Sequence, residues 1–289
     1  MNVEKPIFII GVGRSGSTAF QKVLSLHPEL AWLSALSNRL PSAPSLNRLL
    51  MHAIDSPLLE RALTRCFWPS ECIFFWDYAW PGFNTPCRDL LAEDVSPKVA
   101  ERIRTLLSQP LTRRRKRLMV KITGWPRVGF LKEIFPDARF IHIVRDGRAV
   151  VNSMLNVNWW WGWRGPDNWR WGPLTPAQQE EWKRHGKSFV ALAAIEYNIL
   201  LEAMEQAKRG VAPENFLELR YEDLCAEPIP RLQEVVEFCG LRWSGRFERS
   251  VLRYPLRNTN YKWQKELSEH QRQILHDVLR EQLEKWDYL

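Results

Sequence analysis

A chain of 289 residues has room for one large domain or two small ones, and its 45% hydrophobic and 26% charged content is that of an ordinary globular protein. The formal charge of +8, from 41 basic and 33 acidic residues, suits an anionic partner such as a nucleotide, a sulfated or phosphorylated substrate, nucleic acid or a membrane surface. Five cysteines without a C-x-x-C exclude a disulfide framework and a zinc site, and no stretch approaches the ~20 apolar residues of a membrane span. The thiols are expected to be reduced and mostly buried. The apolar run in MNVEKPIFIIG is too short for a signal peptide, so the expected location is the cytoplasm.

The chain opens with Pro6–Gly11, PIFIIG, a wholly apolar and β-branched run that reads as a central parallel strand. A glycine loop follows, then helical spacing through Phe20, Val23 and Leu24. Residues 34–57 read as irregular or broken helix, and the clustered aromatics and prolines of 66–88 as a loop-rich wall. Residues 96–109 read as a helix capped by Ser96 and Pro97. The basic run Arg113–Arg117 reads as a solvated turn or as a lure for an anionic acceptor. Strands are expected at Leu118–Ile122, Arg139–Val144 and Asn215–Leu219, with short helices at 127–135 and from Ala149. A long helix carries the apolar stripe Phe189, Leu192, Ile195, Ile199, Leu200 and Met204 and ends at Gly210. Another helix spans Pro230–Cys239, and the capping box Ser268-x-x-Gln271 opens the last, to about Trp286. Strands alternating with helices predict an α/β protein: a P-loop-type three-layer fold with a central, mainly parallel sheet, as a single domain over 1–289. Insertions at about 34–117 and 157–186 are expected on the substrate side.

Residues 11–18, GVGRSGST, fit the phosphate-loop pattern G-x-x-x-x-G-K-[ST] except that Ser17 stands at the lysine position and Arg14 supplies a cation three residues earlier. Between a strand and a helix, the backbone amides of 13–18 converge on an anion, helped by the helix dipole. An NTPase needs its lysine on the β/γ-phosphates and a carboxylate to help hold Mg²⁺. Here the lysine is missing, and Arg145 precedes Asp146 at the end of FIHIV. Arg145 and Ser153, in VRDGRAVVNSM, are placed to reach a second anion. Two anion sites on one sheet suggest a nucleotide phosphorylated at two places.

PIFIIGVGRSGSTAFQKVLSLHP resembles the 5′-phosphosulfate loop of PAPS-dependent sulfotransferases, in the form seen in tyrosylprotein sulfotransferases and many bacterial relatives, where arginine replaces lysine. FPDARFIHIVRDGRAVVNSM resembles the family's 3′-phosphate strand and helix, LELRYEDLCAEP a downstream segment, and NTNYKWQKELS the segment that closes over the cofactor. The resemblance implies that Arg14 contacts the phosphosulfate and that Gly13, Ser15, Gly16, Ser17 and Thr18 cradle it. It implies that Arg145 and Ser153 bind the 3′-phosphate, that Tyr221 and Lys262 approach the cofactor, and that Lys121 lies near the transferring sulfuryl group. It implies PAPS as co-substrate, PAP as product and no metal. The acceptor is then a hydroxyl on a small molecule, carbohydrate or lipid.

The resemblance fails at the base. The stretch after the first helix, AWLSALSN at Ala31–Asn38, holds no acid or histidine. Asp77, an acid among aromatics, is the favoured candidate, with His52 and His185 behind it; His27 reads as a structural cap. The six tryptophans of residues 158–173 form either an acceptor platform or a self-packed lid. Two other classes stay open: a P-loop kinase, and a basic nucleic-acid-binding protein for which no motif speaks. A protein that binds PAPS but turns over slowly is a further possibility.

Overall fold

In a computed structural model, which describes residues 2–56 and 59–289, five strands form one sheet. They are β1 (Ile7–Gly11), β2 (Leu30–Trp32), β3 (Arg117–Thr123), β4 (Arg139–Val144) and β5 (Phe216–Arg220), in the order β2-β3-β1-β4-β5. All pairings are parallel. β1 lies in the middle with every residue buried, which is why it reads as an unbroken apolar run rather than an alternating one. Ile9 pairs with Lys121 on one side and Ile141 on the other. The chain therefore leaves β1, β3 and β4 along one edge, and the β1 loop emerges between the other two. Ligands of open parallel sheets sit at such a switch in strand order.

The apolar side chains divide into two clusters. One packs around the sheet, including Phe8, Phe20, Trp32 and Phe140. The other lies among the helices Gly147–Leu155, Phe189–Arg209 and Glu269–Lys285. The last helix begins at the expected capping box: Gln271 N–H donates to Ser268 Oγ at 3.3 Å, and Ser268 N–H donates to Gln271 Oε1 at 2.9 Å. No helix among the described residues is long and apolar enough to cross a membrane.

The structure corrects several expectations. A fifth strand, β2, is present; three residues give too little pattern to reveal it. The aromatic stretch 66–88 contains the helix Ile73–Ala79 rather than loop alone. Helices at Glu60–Cys66, Pro176–Arg184, Gly245–Leu252 and Lys262–Glu266 were not foreseen, because short amphipathic turns carry few periodic positions. Of the cysteines, Cys72 and Cys239 are buried but Cys66 and Cys87 are exposed. The basic run is not simply a solvated turn. Arg115 is buried, donates to the carbonyls of His27 and Leu30, and pairs with Asp55 at 3.0 Å.

The segment after β2 is tied down by Asn47, on the helix Ser45–Ile54. Its buried Oδ1 accepts from Ser34 N–H at 3.1 Å, Ser34 Oγ at 2.6 Å and Ser37 Oγ at 3.0 Å, while Nδ2 donates to the Trp32 carbonyl at 2.7 Å. Asn47→Ala should lower stability by about 3 kcal/mol, since each buried polar group left unpaired costs about 1–3 kcal/mol. A urea titration would show a lower midpoint at unchanged slope.

Candidate active site

The β1 loop is shaped by backbone conformations that few side chains adopt. Gly16 has φ 88°, and a Cβ there would sit 2.3 Å from the Tyr221 ring. Arg14 also lies in the left-handed region, at φ 70°, a cost a protein tolerates where the residue is held for use. The first helix starts at Ser17, so the first-turn amides have no intrahelical acceptor; the first such bond is Phe20 N–H to the Gly16 carbonyl, 3.1 Å. Space around the Cα of Gly13 is open. Ser15 takes a different position from its neighbours. Its N–H donates to the Val12 carbonyl, and its buried hydroxyl lies against Gly11 with no hydrogen-bond partner among the described residues.

Arg14 and Arg145 meet above this loop. Arg14 Nε donates to Ser153 Oγ at 2.9 Å, and its guanidinium stands 5.9 Å over the Trp159 ring. Arg145 is 8% exposed and donates only to neutral acceptors: Asn260 Oδ1 at 2.9 Å, the Arg14 carbonyl at 3.0 Å and Thr259 Oγ1 at 3.1 Å. Its guanidinium stacks 4.7 Å over Tyr221, whose hydroxyl donates to the Arg257 carbonyl at 2.6 Å. Burial, and then the charge of Arg145, push the Arg14 pKa down from its ordinary value. Two neighbouring guanidinium groups with no paired carboxylate among the described residues call for a multiply charged anion. Arg14, Arg145, Asn152, Ser153, Thr259 and the exposed Lys262 border a polar basin of about 300 Å³. The neighbouring acid, Asp146, is occupied: it caps the helix Gly147–Leu155 through Arg148 N–H and pairs with the Arg148 side chain at 2.9 Å.

Arg14 also borders a second cavity, of about 390 Å³, on the other side. This cavity is bordered by an acid that sequence reading missed. Glu71 accepts from Lys121 Nζ at 3.0 Å, Thr123 N–H at 2.5 Å and Thr123 Oγ1 at 2.6 Å. Lys121 Nζ, 6% exposed, also reaches Thr18 Oγ1 at 3.2 Å. Burial raises the pKa of Glu71, but the Lys121 charge and these hydrogen bonds outweigh it and bring the carboxyl below its ordinary value. Glu71 faces the cavity from beside the empty stretch Ala31–Asn38. Ser34 bridges Pro69, and Ser70 N–H donates to the Leu33 carbonyl at 2.9 Å. The next residue, Cys72, adopts φ 57° and turns the chain into the helix Ile73–Ala79. Residues far apart in sequence thus lie side by side in space.

The other candidates for a base lie elsewhere. Asp77 accepts from Asn84 Nδ2 at 2.6 Å, and it is Asn84 rather than Asp77 that borders the cavity. His52 is exposed on the helix Ser45–Ile54, and His185 lies 3.0 Å from Glu181. His27 is fully buried, with Nε2 3.0 Å from the Arg242 carbonyl, as a structural residue should be.

The larger cavity is aromatic. Trp76, Phe83, Trp125, Trp159, Trp160 and Trp171 are among its lining. The tryptophan segment packs on itself and also lines this cavity. Trp160 and Trp169 are buried and hold the segment, while Trp159 and Trp161 are exposed on the cavity side. Trp160 Nε1 donates to Glu196 Oε2 at 2.6 Å. Glu196 is 3% exposed and borders the same cavity. Burial pushes its pKa up to about 7, against the opposing effect of the Trp160 and Trp171 indoles.

Residues 6–245 match the model of the Sulfotransferase family. The omega-hydroxy-beta-dihydromenaquinone-9 sulfotransferase of Mycobacterium bovis is 24% identical, over 99% of this chain and 76% of that protein. Protein-tyrosine sulfotransferase A of Caenorhabditis elegans is 22% identical, over 82% of this chain and 50% of that one. A sulfotransferase structure from Mycobacterium avium superposes with a TM-score of 0.62 at 15% identity, covering 99% of this chain and 77% of the other.

Glu196 gives stability a pH signature. Its folded pKa is raised to about 7, so the folded state holds this proton after the unfolded chain has released it. The contribution is complete below the unfolded pKa of about 4.3 and lost as pH rises toward 7. Glu196→Gln removes the titration. Urea denaturation at pH 5 and pH 8 should show the variant gaining about 3 kcal/mol on the wild type between the two, at about 1.4 kcal/mol per pKa unit.

Proposed function

The chain belongs to the sulfotransferase family, and we propose that it transfers a sulfuryl group from PAPS to the hydroxyl of an apolar small molecule or lipid, releasing PAP. The observation that carries this reading is the position of Arg14 between two unlike cavities. One is a polar basin with a second unpaired arginine, and the other is an aromatic cavity with a carboxylate at its edge. PAPS, when bound, supplies the activated sulfuryl group. Arg14, Gly13 and the first-turn amides of Gly16, Ser17 and Thr18 would hold its 5′-phosphosulfate. Arg145, Ser153 and Lys262 would hold its 3′-phosphate. Tyr221 supports both, packing against Gly16 and under Arg145. In this reading Ser15 contributes the turn rather than a donor.

On the acceptor side we assign the base to Glu71 rather than Asp77. Glu71 is ionised at neutral pH, and its hydrogen bonds to Thr123 and Lys121 orient it toward the cavity. It takes the acceptor's proton as the oxygen attacks, a service worth about 10²–10⁴-fold. Lys121 balances the carboxylate and, through its contact with Thr18, lies where charge builds on the transferring group. The aromatic lining favours an apolar acceptor over a carbohydrate. The relative named for menaquinone sulfation acts on an acceptor of that kind, which supports this choice.

PAP at 100 times its Kd should stabilise the protein by about 2.7 kcal/mol. A melting series with PAP, ADP and ATP–Mg²⁺ should show the largest shift with PAP, reduced to the level of ADP in Arg145→Ala. A shift with ATP–Mg²⁺ and none with PAP would overturn the reading. Glu71→Gln should keep the PAP-induced shift and lower kcat by about 10²-fold or more; an unchanged kcat would return the role to another group.

A further inference from the structure

The aromatic cavity contains one feature that neither sulfuryl transfer nor simple packing uses. Glu196 sits in the middle of the helix Phe189–Arg209, and its neighbours one turn away on either side, Leu192, Ala193, Ile199 and Leu200, are all apolar. A carboxyl buried there costs stability, because no cation compensates it: only burial and two indoles act on it. One oxygen is satisfied by the Trp160 indole at 2.6 Å. No other hydrogen bond reaches this carboxyl among the described residues. Trp171 Nε1 also faces the carboxyl, without reaching hydrogen-bond geometry, and is a buried donor with no partner among the described residues. Both residues border the cavity.

Anchoring Trp160 takes one acceptor atom, so it leaves half of the carboxyl and the whole Trp171 donor unexplained. Buried polar groups are normally paired, and those that are not mark a missing partner. A hydroxyl answers both vacancies, since it donates one hydrogen bond and accepts others. We propose that Glu196 and Trp171 form a polar subsite of the acceptor cavity that binds a second hydroxyl group, remote from the one that is sulfated. The preferred acceptors are then ring-bearing apolar molecules with two hydroxyls, rather than simple apolar alcohols. This rests on the reading of the cavity as the acceptor site. It also explains why the wall is built on a glutamate: a site made to hydrogen-bond a substrate hydroxyl rejects the analogue without it far more strongly than an apolar pocket does.

The test uses 2-naphthol and naphthalene-2,6-diol, which share a ring system and differ in the second hydroxyl. Two measurements are made: binding to the full chain with PAP present, by quenching of tryptophan fluorescence, and kcat/KM with PAPS. The wild type should prefer the diol by at least about tenfold in KM, the value of one buried hydrogen bond, with the smaller difference in kcat. Glu196→Gln, which retains an oxygen for Trp160, and Trp171→Phe, which retains the ring, should each bring the ratio close to one. The PAP-induced melting shift shows that each variant is folded and holds cofactor. Equal or undetectable binding of the two probes by a wild type that responds to PAP overturns this proposal and leaves the sulfotransferase reading standing. A ratio that survives in both variants overturns it equally. Absence of any PAP response overturns the underlying reading instead.

Discussion

Two arginines side by side without an acid between them set the terms for everything around them. Arg14 comes from the loop after β1 and Arg145 from the end of β4, and the guanidinium of one donates to the backbone carbonyl of the other. Like charges at this separation repel, and the repulsion is tolerated only when neutral groups orient the side chains and an anion completes the balance. Asn260, Thr259 and Ser153 provide that orientation. Their positions depend in turn on the sheet order, which sets β1 directly beside β4, and on Tyr197, whose hydroxyl donates to the Arg145 carbonyl at 2.8 Å and fixes the turn out of the strand. The acid that would suit a metal ion in this position is diverted to Arg148.

The β3 side of the loop solves the complementary problem. Lys121 is an interior lysine whose strand neighbour, Ile9, is fully buried, and a buried ammonium needs a partner. Glu71 supplies it, and Thr123 adds two hydrogen bonds that hold the carboxylate in one orientation. The pair is internally neutral, so it neither competes with the arginines for an anion nor repels an apolar molecule entering beside it. Its cost is conformational: Cys72 takes a left-handed backbone conformation, with its thiol donating to the Ser34 carbonyl at 3.1 Å, so that Glu71 can turn inward just before a helix begins.

That Arg14, Arg145 and Ser153 share one basin was legible because their placement is local. GVGRSGST and VRDGR each place their functional groups within a few residues of a strand end, so spacing alone carries the geometry. The aromatic cavity was not, because its residues come from segments far apart in sequence. Glu71 lies nearly forty residues beyond β2 in sequence and is brought beside it by the pairing of Ser34 with Pro69 and of Ser70 with Leu33. The acid that borders the cavity, Glu71, lies in space beside the stretch after the first helix but far from it in sequence. Asp77, chosen for its aromatic company, belongs to the helix that begins two residues after Glu71, and is engaged by Asn84. The aromatic context was a correct sign of the cavity and a poor guide to which acid lines it. Arg115 shows the same limit in reverse. In sequence it is one of a basic run, and only the fold shows it spanning His27, Leu30 and Asp55 as a buried strut.

The tryptophan segment shows how a loop becomes a rigid wall. Three indole N–H groups are tied down, Trp160 to Glu196, Trp163 to the Val157 carbonyl at 3.0 Å and Trp169 to the Gly172 carbonyl at 2.5 Å. Trp160 and Trp163 meet edge to face at 4.9 Å, and Phe189 packs against both. A segment rich in glycine and proline thereby acquires the fixed side-chain positions of a helix face. Ring positions fixed before binding reduce the ordering cost an acceptor must offset. The basic residues of the β1 and β4 loops and the indoles of the tryptophan segment thus come from separate stretches of chain and meet at Arg14, which borders both the basin and the cavity.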